Sequence, residues 1–284
     1  MSMQSTTVIG LIVPDMTHSF MTQVIQGVNR GANELGFDLI VCTTSRDRRN
    51  VAELAEWEQQ QVALINGGIA TGTIVVVPSS HQFQTDAPLV AVDPHNDAVD
   101  FPAVISTNRI GVMEAIAYLV RLGHRRIGFI RGRNDLQSAE RRRLGYIDGL
   151  NNAQIPIDPE LIRDGDFTYE AGLLGALDLL AHPNRPTAIM AANDESALGV
   201  IDAARERHLT VPGDLSVVGF DNVPDAQLVD PPLTTVDESG TEMGRIAVTM
   251  MATLLQGQAL PSPIHKINTR FVVRQSCTAP PSIF

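Results

Sequence analysis

Cysteine is scarce in this sequence, and long apolar runs are absent. The two cysteines, Cys42 and Cys277, lie far apart, and neither belongs to a CxxC pair or stands near histidines at metal-site spacing. This excludes a disulfide scaffold and a zinc module and predicts two reduced structural thiols. No apolar run reaches the roughly 18 residues that a membrane helix needs. No cationic leader precedes the first apolar run. We therefore predict a cytoplasmic protein without membrane contacts, although a secreted protein lacking its leader would look the same.

Basic charge is also scarce. The 284 residues contain 21 Lys and Arg against 32 Asp and Glu, which gives a formal charge of −11. Such a chain does not by itself coat a nucleic-acid backbone or an anionic membrane. Hydrophobic residues make up 44% of the sequence and charged residues 19%, the composition of an ordinary folded domain and not of a disordered chain.

Signatures of catalysis and metal binding are missing as well. The sequence contains no GxSxG, HExxH or GxxxxGKS/T motif, and none of its seven histidines lies four residues from another. The glycine-rich residues 67–72 precede a predicted strand, whereas a phosphate-binding loop follows a strand, so we interpret them as a turn. The sequence predicts a protein that is not an enzyme and that uses no cofactor and no metal.

What the sequence does contain is an alternation of short β-branched runs and longer helical patterns. The predicted strands are residues 8–13, 38–44, 73–77, 89–92, 126–130, 187–191, 215–220 and 270–273. The predicted helices are residues 19–35, 50–65, 110–122, 138–150, 169–180, 195–207 and 241–255. Strands separated by helices of this length form parallel sheets in βαβ units. Because the pattern restarts near residue 126, the sequence predicts an α/β fold with two doubly wound, Rossmann-like lobes.

Polar residues follow most of the predicted strands. In open α/β sheets, ligands bind beyond the carboxyl ends of the strands, so these residues are candidates for a binding site. Asn193 and Asp221 are examples from the second half of the chain. Asp and Asn also cap helices and close turns whatever the function, and this alternative stays open for each of them.

Six segments of the chain carry recognisable motifs: residues 119–132, 142–146, 186–199, 211–221, 231–235 and 271–276. These motifs resemble those of one family, the lactose/galactose-repressor (LacI/GalR) transcription regulators. Residues 15–20 match that family's first loop only in part. The likeness runs from about Val8 to the C-terminus, and its long motifs occur in the family's order.

The resemblance implies a type I periplasmic-binding-protein-like fold, with two lobes joined by three crossovers. The N-terminal lobe would comprise residues 7–123 and 238–267, and the C-terminal lobe residues 124–236 and 268–284. The family's basic N-terminal DNA-binding headpiece is absent from the sequence, which begins only seven residues before the first strand. We expect operator DNA to be bound only through that missing headpiece. The chain itself would be the effector-binding and dimerisation core.

The resemblance also implies which residues bind the effector in the cleft between the lobes. Arg142 and Asp221 match the family's effector-binding arginine and aspartate, Asn193 matches an amide, and Phe20 matches a packing aromatic residue. The further candidates are His18, Thr107, Asn108 and Ser138. We expect Arg142 to face an open cleft, so that Arg142→Ala would weaken binding and leave the fold intact.

The nature of the effector follows less directly, because the sequence departs from the family's pattern at two places. Thr107-Asn108 replaces the usual Asp-Asn, and His18-Ser19 replaces Asn-Pro. A sugar is the expected small-molecule effector, and a purine, a sugar phosphate or another polar metabolite remains an alternative. By touching both lobes, the effector would shift the chain from an open to a closed arrangement.

Two functions compete. The first is a LacI-type regulator, a repressor that works as a homodimer. The second is a periplasmic solute (sugar)-binding protein of an ABC transporter, which shares the fold and works as a monomer. Residues 231–235 and 273–276 favour the regulator. Val24, Val28 and Ala32 form an apolar stripe on one predicted helix, and Met250 and Met251 lie on a late helix of the same lobe. Part of this surface must cover the sheet, and the resemblance implies that neighbouring faces form the dimer.

Overall fold

The computed structural model describes residues 7–44, 50–96 and 99–281. The chain divides into two compact units. Unit 1 contains the residues up to Ser106 together with Ser239–Ile267, and unit 2 contains Thr107–Glu238 together with the residues from Asn268 onwards. The chain therefore passes from one unit to the other three times. No helix in the described ranges has the length and hydropathy that crossing a membrane requires.

The strands and helices alternate along both halves of the chain. The strands are β1 (Val8–Val13), β2 (Asp38–Thr43), β3 (Gly72–Val76), β4 (Leu89–Val92), β5 (Ala103–Ser106), β6 (Ile127–Ile130), β7 (Ile162–Arg163), β8 (Ala188–Ala191), β9 (Ser216–Val218), β10 (Thr235–Asp237), β11 (Ile264–Ile267) and β12 (Arg270–Val272). The α-helices are α1 (Ser19–Leu35), α2 (Val51–Asn66), α3 (Asn108–Leu122), α4 (Gln137–Asn152), α5 (Tyr169–Ala181), α6 (Asp194–Glu206) and α7 (Gly240–Leu255). Short 3-10 helices cover Pro159–Leu161 and Pro224–Gln227.

Unit 1 is built on a six-stranded parallel sheet in the order β11-β5-β4-β3-β1-β2. Helices α1 and α7 pack closely, because a Cβ at Gly27 would lie 1.8 Å from the carbonyl oxygen of Thr241. Val24, Val28 and Ala32 of α1 are buried within the single chain, and so are Met250 and Met251 of α7. These side chains therefore serve the packing of the single chain, as expected for part of this apolar surface, and a dimer would use neighbouring faces.

Unit 2 contains a four-stranded parallel sheet in the order β7-β6-β8-β9 and a separate antiparallel pair, β10 and β12. The parallel sheet buries every residue of β6, β8 and β9. The α/β class with two doubly wound units is confirmed. The antiparallel pair departs from the predicted all-parallel arrangement, because β12 returns beside β10 at the end of the chain.

The first passage between the units lies at residue 106, and not at residue 123 as the resemblance implied. Helix α3 packs in the core of unit 2, where Val112 and Ile116 join a buried cluster with Phe129. Two glycines of α4 allow this approach: a Cβ at Gly145 would lie 2.4 Å from the carbonyl oxygen of Arg109, and a Cβ at Gly149 would lie 2.7 Å from a side-chain carbon of Ile116. Helix α3 therefore belongs with the second unit.

Candidate functional site

Arg142, on α4, is the centre of a buried polar network inside unit 2. Its Nε donates to Oδ1 of Asn108 at 2.6 Å, and its Nη1 donates to the carbonyl oxygen of Ala192 at 2.6 Å. Nη1 also donates to Oδ1 of Asp221 at 3.0 Å, and Nη2 donates to Oε2 of Glu238 at 3.0 Å. The network therefore joins the start of α3, the end of β8, the segment after β9 and the end of β10.

The guanidinium of Arg142 is enclosed by aromatic rings as well as by acceptors. Its central carbon lies 3.7 Å from the ring centroid of Phe220 and 5.5 Å from that of Phe167. A cation over an aromatic face is attracted by the ring quadrupole. Arg142 is only 4% exposed, so the expectation that it faces an open cleft is wrong. Its partners come from four distant segments, and their side chains close around it.

Asp221 is held in place by its backbone as well as by Arg142. Its φ of 102° lies in the left-handed region, and its N–H donates to the carbonyl oxygen of Val236 at 2.8 Å. Burial raises the pKa of the Asp221 carboxyl to about 7, against the opposite effect of Arg142 and with a further upward contribution from Asp194. A carboxyl group of this kind exchanges its proton near neutral pH.

Glu238 was not predicted, although it is the second carboxyl group on Arg142. Its side chain is 1% exposed, and its Oε2 accepts from Nη2 of Arg142 at 3.0 Å. Asp221 contacts the same guanidinium at Nη1, so two buried carboxyl groups share one cation. Glu238 is the last residue of unit 2 before the second passage of the chain.

Asp194, in the first turn of α6, is a further buried carboxyl group close to Arg142 and Asp221. It accepts from the backbone N–H of Val223 at 2.9 Å and from the hydroxyl of Thr235. Burial raises the pKa of its carboxyl to about 7. A Cβ at position 219 would lie 2.1 Å from its Oδ1, so Gly219 is required by the close approach of Asp194.

Asn193 and Ser138 lie close to the network along the chain, beside Ala192 and one turn before Arg142 respectively. The side chain of Asn193 caps α6 by accepting from the N–H of Ser196 at 3.0 Å, and it donates to the carbonyl oxygen of Phe167 at 2.9 Å. Ser138 is buried one turn before Arg142 on α4. The capping role that was left open for Asn193 is thus present in the structure.

Thr107 and Asn108 are adjacent in the sequence but make different hydrogen bonds. Asn108 is fully buried and accepts from Arg142. Thr107 instead accepts from the backbone N–H of Thr269 at 2.9 Å, and the two threonine hydroxyls lie 3.1 Å apart. This hydroxyl therefore links the starts of the two segments of unit 2.

His18 and Phe20 belong to unit 1. His18 precedes α1, and its carbonyl oxygen accepts from the N–H of Thr22 at 3.1 Å. Phe20 is 6% exposed, and a Cβ at Gly240 would lie 3.4 Å from its ring. The structure thus brings Asn108, Arg142 and Asp221 into direct contact and places His18 and Phe20 on the other unit.

The site offers hydrogen-bond donors and acceptors, and no nucleophile is paired with a base in it. Within the described ranges, no group of three or more His, Cys, Asp and Glu side chains is arranged to hold a metal ion. Its carboxylate and amide oxygens are suited to hydrogen bonds with the hydroxyl and N–H groups of a ligand.

Comparison with known proteins places these features in a family context. Residues 116–277 match the family model of the periplasmic binding protein-like domain. The chain is 32% identical over 275 residues to the HTH-type transcriptional repressor CytR of Escherichia coli K12, which covers 95% of this chain and 79% of the repressor. It is 29% identical over 290 residues to the ribose operon repressor of Haemophilus influenzae, covering 100% of this chain and 83% of that repressor.

A solved structure extends the likeness to three dimensions. The chain resembles the lac repressor dimer bound to operator and the anti-inducer ONPF, with a TM-score of 0.84 and 25% sequence identity. The superposition covers 98% of this chain and 96% of that one. Both the order of the segments and the fold are therefore those of repressor cores.

Proposed function

Because the chain belongs to the LacI family of transcriptional regulators, we propose that it is the effector-binding and dimerisation core of a repressor. It binds a sugar or a similar polar metabolite at the network around Arg142 and thereby controls the affinity of the regulator for operator DNA. It acts by binding and not by catalysis, and it works in the cytoplasm, where its operator lies.

One observation carries this proposal: Arg142, Asp221 and Asn108, three residues implied by the family motifs, meet within hydrogen-bonding distance in unit 2. They lie on three elements that are far apart along the chain. The family motifs that these residues match support a role for them as effector contacts. The name of the ribose operon repressor supports a sugar as the class of effector.

The alternative, a periplasmic solute-binding protein of an ABC transporter, has less support. The fold alone fits both functions, but the relatives that align with most of this chain are repressors. The lac repressor structure, a dimer on operator, supports assembly as a dimer and DNA binding by the headpiece of the full-length regulator. Residues 1–284 alone should then show no sequence-specific operator binding in a gel shift.

A ligand screen with matched variants tests the proposal. Ribose, other pentoses, hexoses and disaccharides are screened by thermal shift, and hits are measured by calorimetry. Arg142→Lys and Asp221→Asn should weaken binding by about 10- to 100-fold, because each removes charge-assisted hydrogen bonds. Arg143→Lys, one residue along the same helix, is the matched control. If all three variants bind the ligand with equal affinity, Arg142 and Asp221 do not belong to the binding site.

A further inference from the structure

The hydrogen bonds of Arg142 limit what kind of ligand it can hold. A guanidinium has five N–H groups, and it grips a phosphate or carboxylate through two of them on neighbouring nitrogens. In this chain Nε donates to Asn108, Nη1 donates twice, to Ala192 and Asp221, and Nη2 donates to Glu238. At most one N–H remains, on Nη2. Neither edge of the guanidinium therefore has two N–H groups to offer to an anion.

The charges around Arg142 act in the same direction. Two carboxyl groups contact it directly, each at 3.0 Å, and a third, Asp194, is buried nearby. The other cation that acts on Asp194 is Arg274, whose guanidinium donates to the carbonyl oxygen of Leu233 at 2.7 Å and to Asn222 at 2.6 Å. An anionic ligand entering this network would lose its hydration and gain no unoccupied pair of N–H donors in return.

We propose that Asp221 and Glu238 make the effector site selective for neutral or cationic ligands, and that they exclude phosphorylated and carboxylate ligands by occupying the guanidinium of Arg142. The inference rests on the proposed function, because it concerns the same site, and it narrows the class of effector. A sugar, a nucleoside or an amino sugar fits, and a sugar phosphate does not. Glu238 is then a specificity-determining residue.

Inorganic phosphate is the probe that tests this selectivity without knowledge of the effector. The melting temperature of residues 1–284 is measured in millimolar phosphate and in chloride at equal ionic strength. We expect no phosphate-specific change in the parent chain. In Glu238→Gln and in Asp221→Asn/Glu238→Gln, the guanidinium loses charged partners and phosphate should raise the melting temperature by about 2–4 °C.

A matched control removes the same charge elsewhere. Glu242, on α7, forms a half-exposed pair with Arg245, and Glu242→Gln should behave like the parent chain. Circular dichroism checks that each variant folds. If the double variant does not fold, Glu238→Gln still decides: it removes one negative charge from beside the guanidinium and leaves on Nη2 only a neutral amide oxygen, a weaker acceptor than phosphate.

Two results would overturn the proposal. One is a phosphate-specific stabilisation of the parent chain that Arg142→Lys abolishes, because the guanidinium would then be open to anions. The other is a folded Glu238→Gln variant that ignores phosphate as the parent does, because the carboxyl groups would then not be the cause of the exclusion. Neither result depends on whether the sugar screen finds a ligand, so a failure of the proposed function is recognised separately.

Discussion

Arg142 stands between two other arginines, and the local sequence does not distinguish it from them. Arg143 pairs with Glu140 three residues back on the same helix, and its side chain is 29% exposed. Arg142 contacts residues that lie 34, 79 and 96 positions away. The family motif predicted Arg142 as an effector contact. Its burial could not be predicted, because the groups that surround it come from separate parts of the chain.

This burial changes the expected effect of removing the side chain. In Arg142→Ala, the carboxyl groups of Asp221 and Glu238 lose their cation while they stay buried, and breaking a buried ion pair costs about 3–5 kcal/mol of unfolding free energy. Arg143→Ala removes a half-exposed pair and should cost at most about 1 kcal/mol. Urea denaturation of the two variants measures the difference. Equal stability would show that the network around Arg142 contributes little to the fold.

Glu58 is a buried carboxyl group that the sequence did not single out. It lies on α2, is fully buried, and accepts from the backbone N–H groups of Ser79 and Ser80 after β3. Burial raises the pKa of its carboxyl to about 7, although these hydrogen bonds act in the opposite direction. The burial of Glu58 could not be predicted from the helix sequence, because the loop that it binds lies more than 20 residues away.

The raised pKa of Glu58 predicts a pH dependence of stability. The pKa of its carboxyl is about 7 in the folded chain and near the ordinary value of 4.5 in the unfolded chain, so the folded chain binds more protons between these limits. The free energy of unfolding then falls as pH rises through this window. Asp194 and Asp221 add to this loss of stability with rising pH, because burial raises the pKa of each carboxyl from 3.8 to about 7.

Glu58→Gln isolates the contribution of one group. Between about pH 5 and pH 8 the variant should lose less stability than the parent chain, by about 1–3 kcal/mol. Glu56→Gln, an exposed residue on the same helix, is the control and should keep the parent's pH dependence. A parent chain that is equally stable at both pH values would contradict the assignment.

At the scale of elements, the helices and the long buried strands could be predicted from periodicity, and the short strands could not. The bounds of α1 and of β1 agree with the predicted ones, because apolar spacing and Gly36 define them. Strands β5, β7, β10 and β11 were missed. The two residues of β7 and the three of β10 are too short for a pattern, and β11 is a half-exposed edge strand with His265 and Lys266 at its centre.

The contact between α5 and α6 gives a prediction at this scale. A Cβ at Gly172 would lie 2.2 Å from the carbonyl oxygen of Ser196, and backbone cannot move aside easily. Gly172→Ala should therefore lower the free energy of unfolding by about 1–3 kcal/mol, through overpacking.

Gly175, on the same helix, provides the control, because a Cβ there would meet only ordinary contacts at 3.4 Å. Gly175→Ala should be neutral or stabilising by up to about 1 kcal/mol, because alanine favours helix. Chemical denaturation decides, and a Gly172→Ala variant as stable as Gly175→Ala would contradict the close packing.

For the whole molecule, the restart of the strand–helix pattern near residue 126 predicted two units, and the structure has two. The pattern could not place α3, since a helix between two sheets can pack on either. Its glycine-mediated packing against α4 decides for unit 2. Likewise, an apolar stripe on α1 indicated a buried face but not what buries it, and α7 does so from more than 200 residues further along the chain.

Assembly into a dimer must then use other surfaces than the stripe on α1. Six large apolar residues in the described part of unit 1 stay exposed in the single chain: Met16, Leu35, Val41, Val51, Leu64 and Ile69. Val41 lies on the edge strand β2, whose backbone donors and acceptors a second chain can meet. Exposed apolar side chains that cluster mark interaction surfaces, so these residues are candidates for the interface.

We therefore expect light scattering at micromolar concentration to give twice the 30.7 kDa of one chain. Leu64→Glu, at a side chain on α2 that is 62% exposed, should shift the mass towards the monomer, because a charge would be buried in the interface. Ile110→Glu, at a 52% exposed position on α3, is the matched change outside this set of residues and should leave the dimer intact. A parent chain that stays monomeric throughout would count against the repressor and for a solute-binding protein. A dimer that Leu64→Glu leaves unchanged would leave the repressor proposal standing and would exclude Leu64 from the interface.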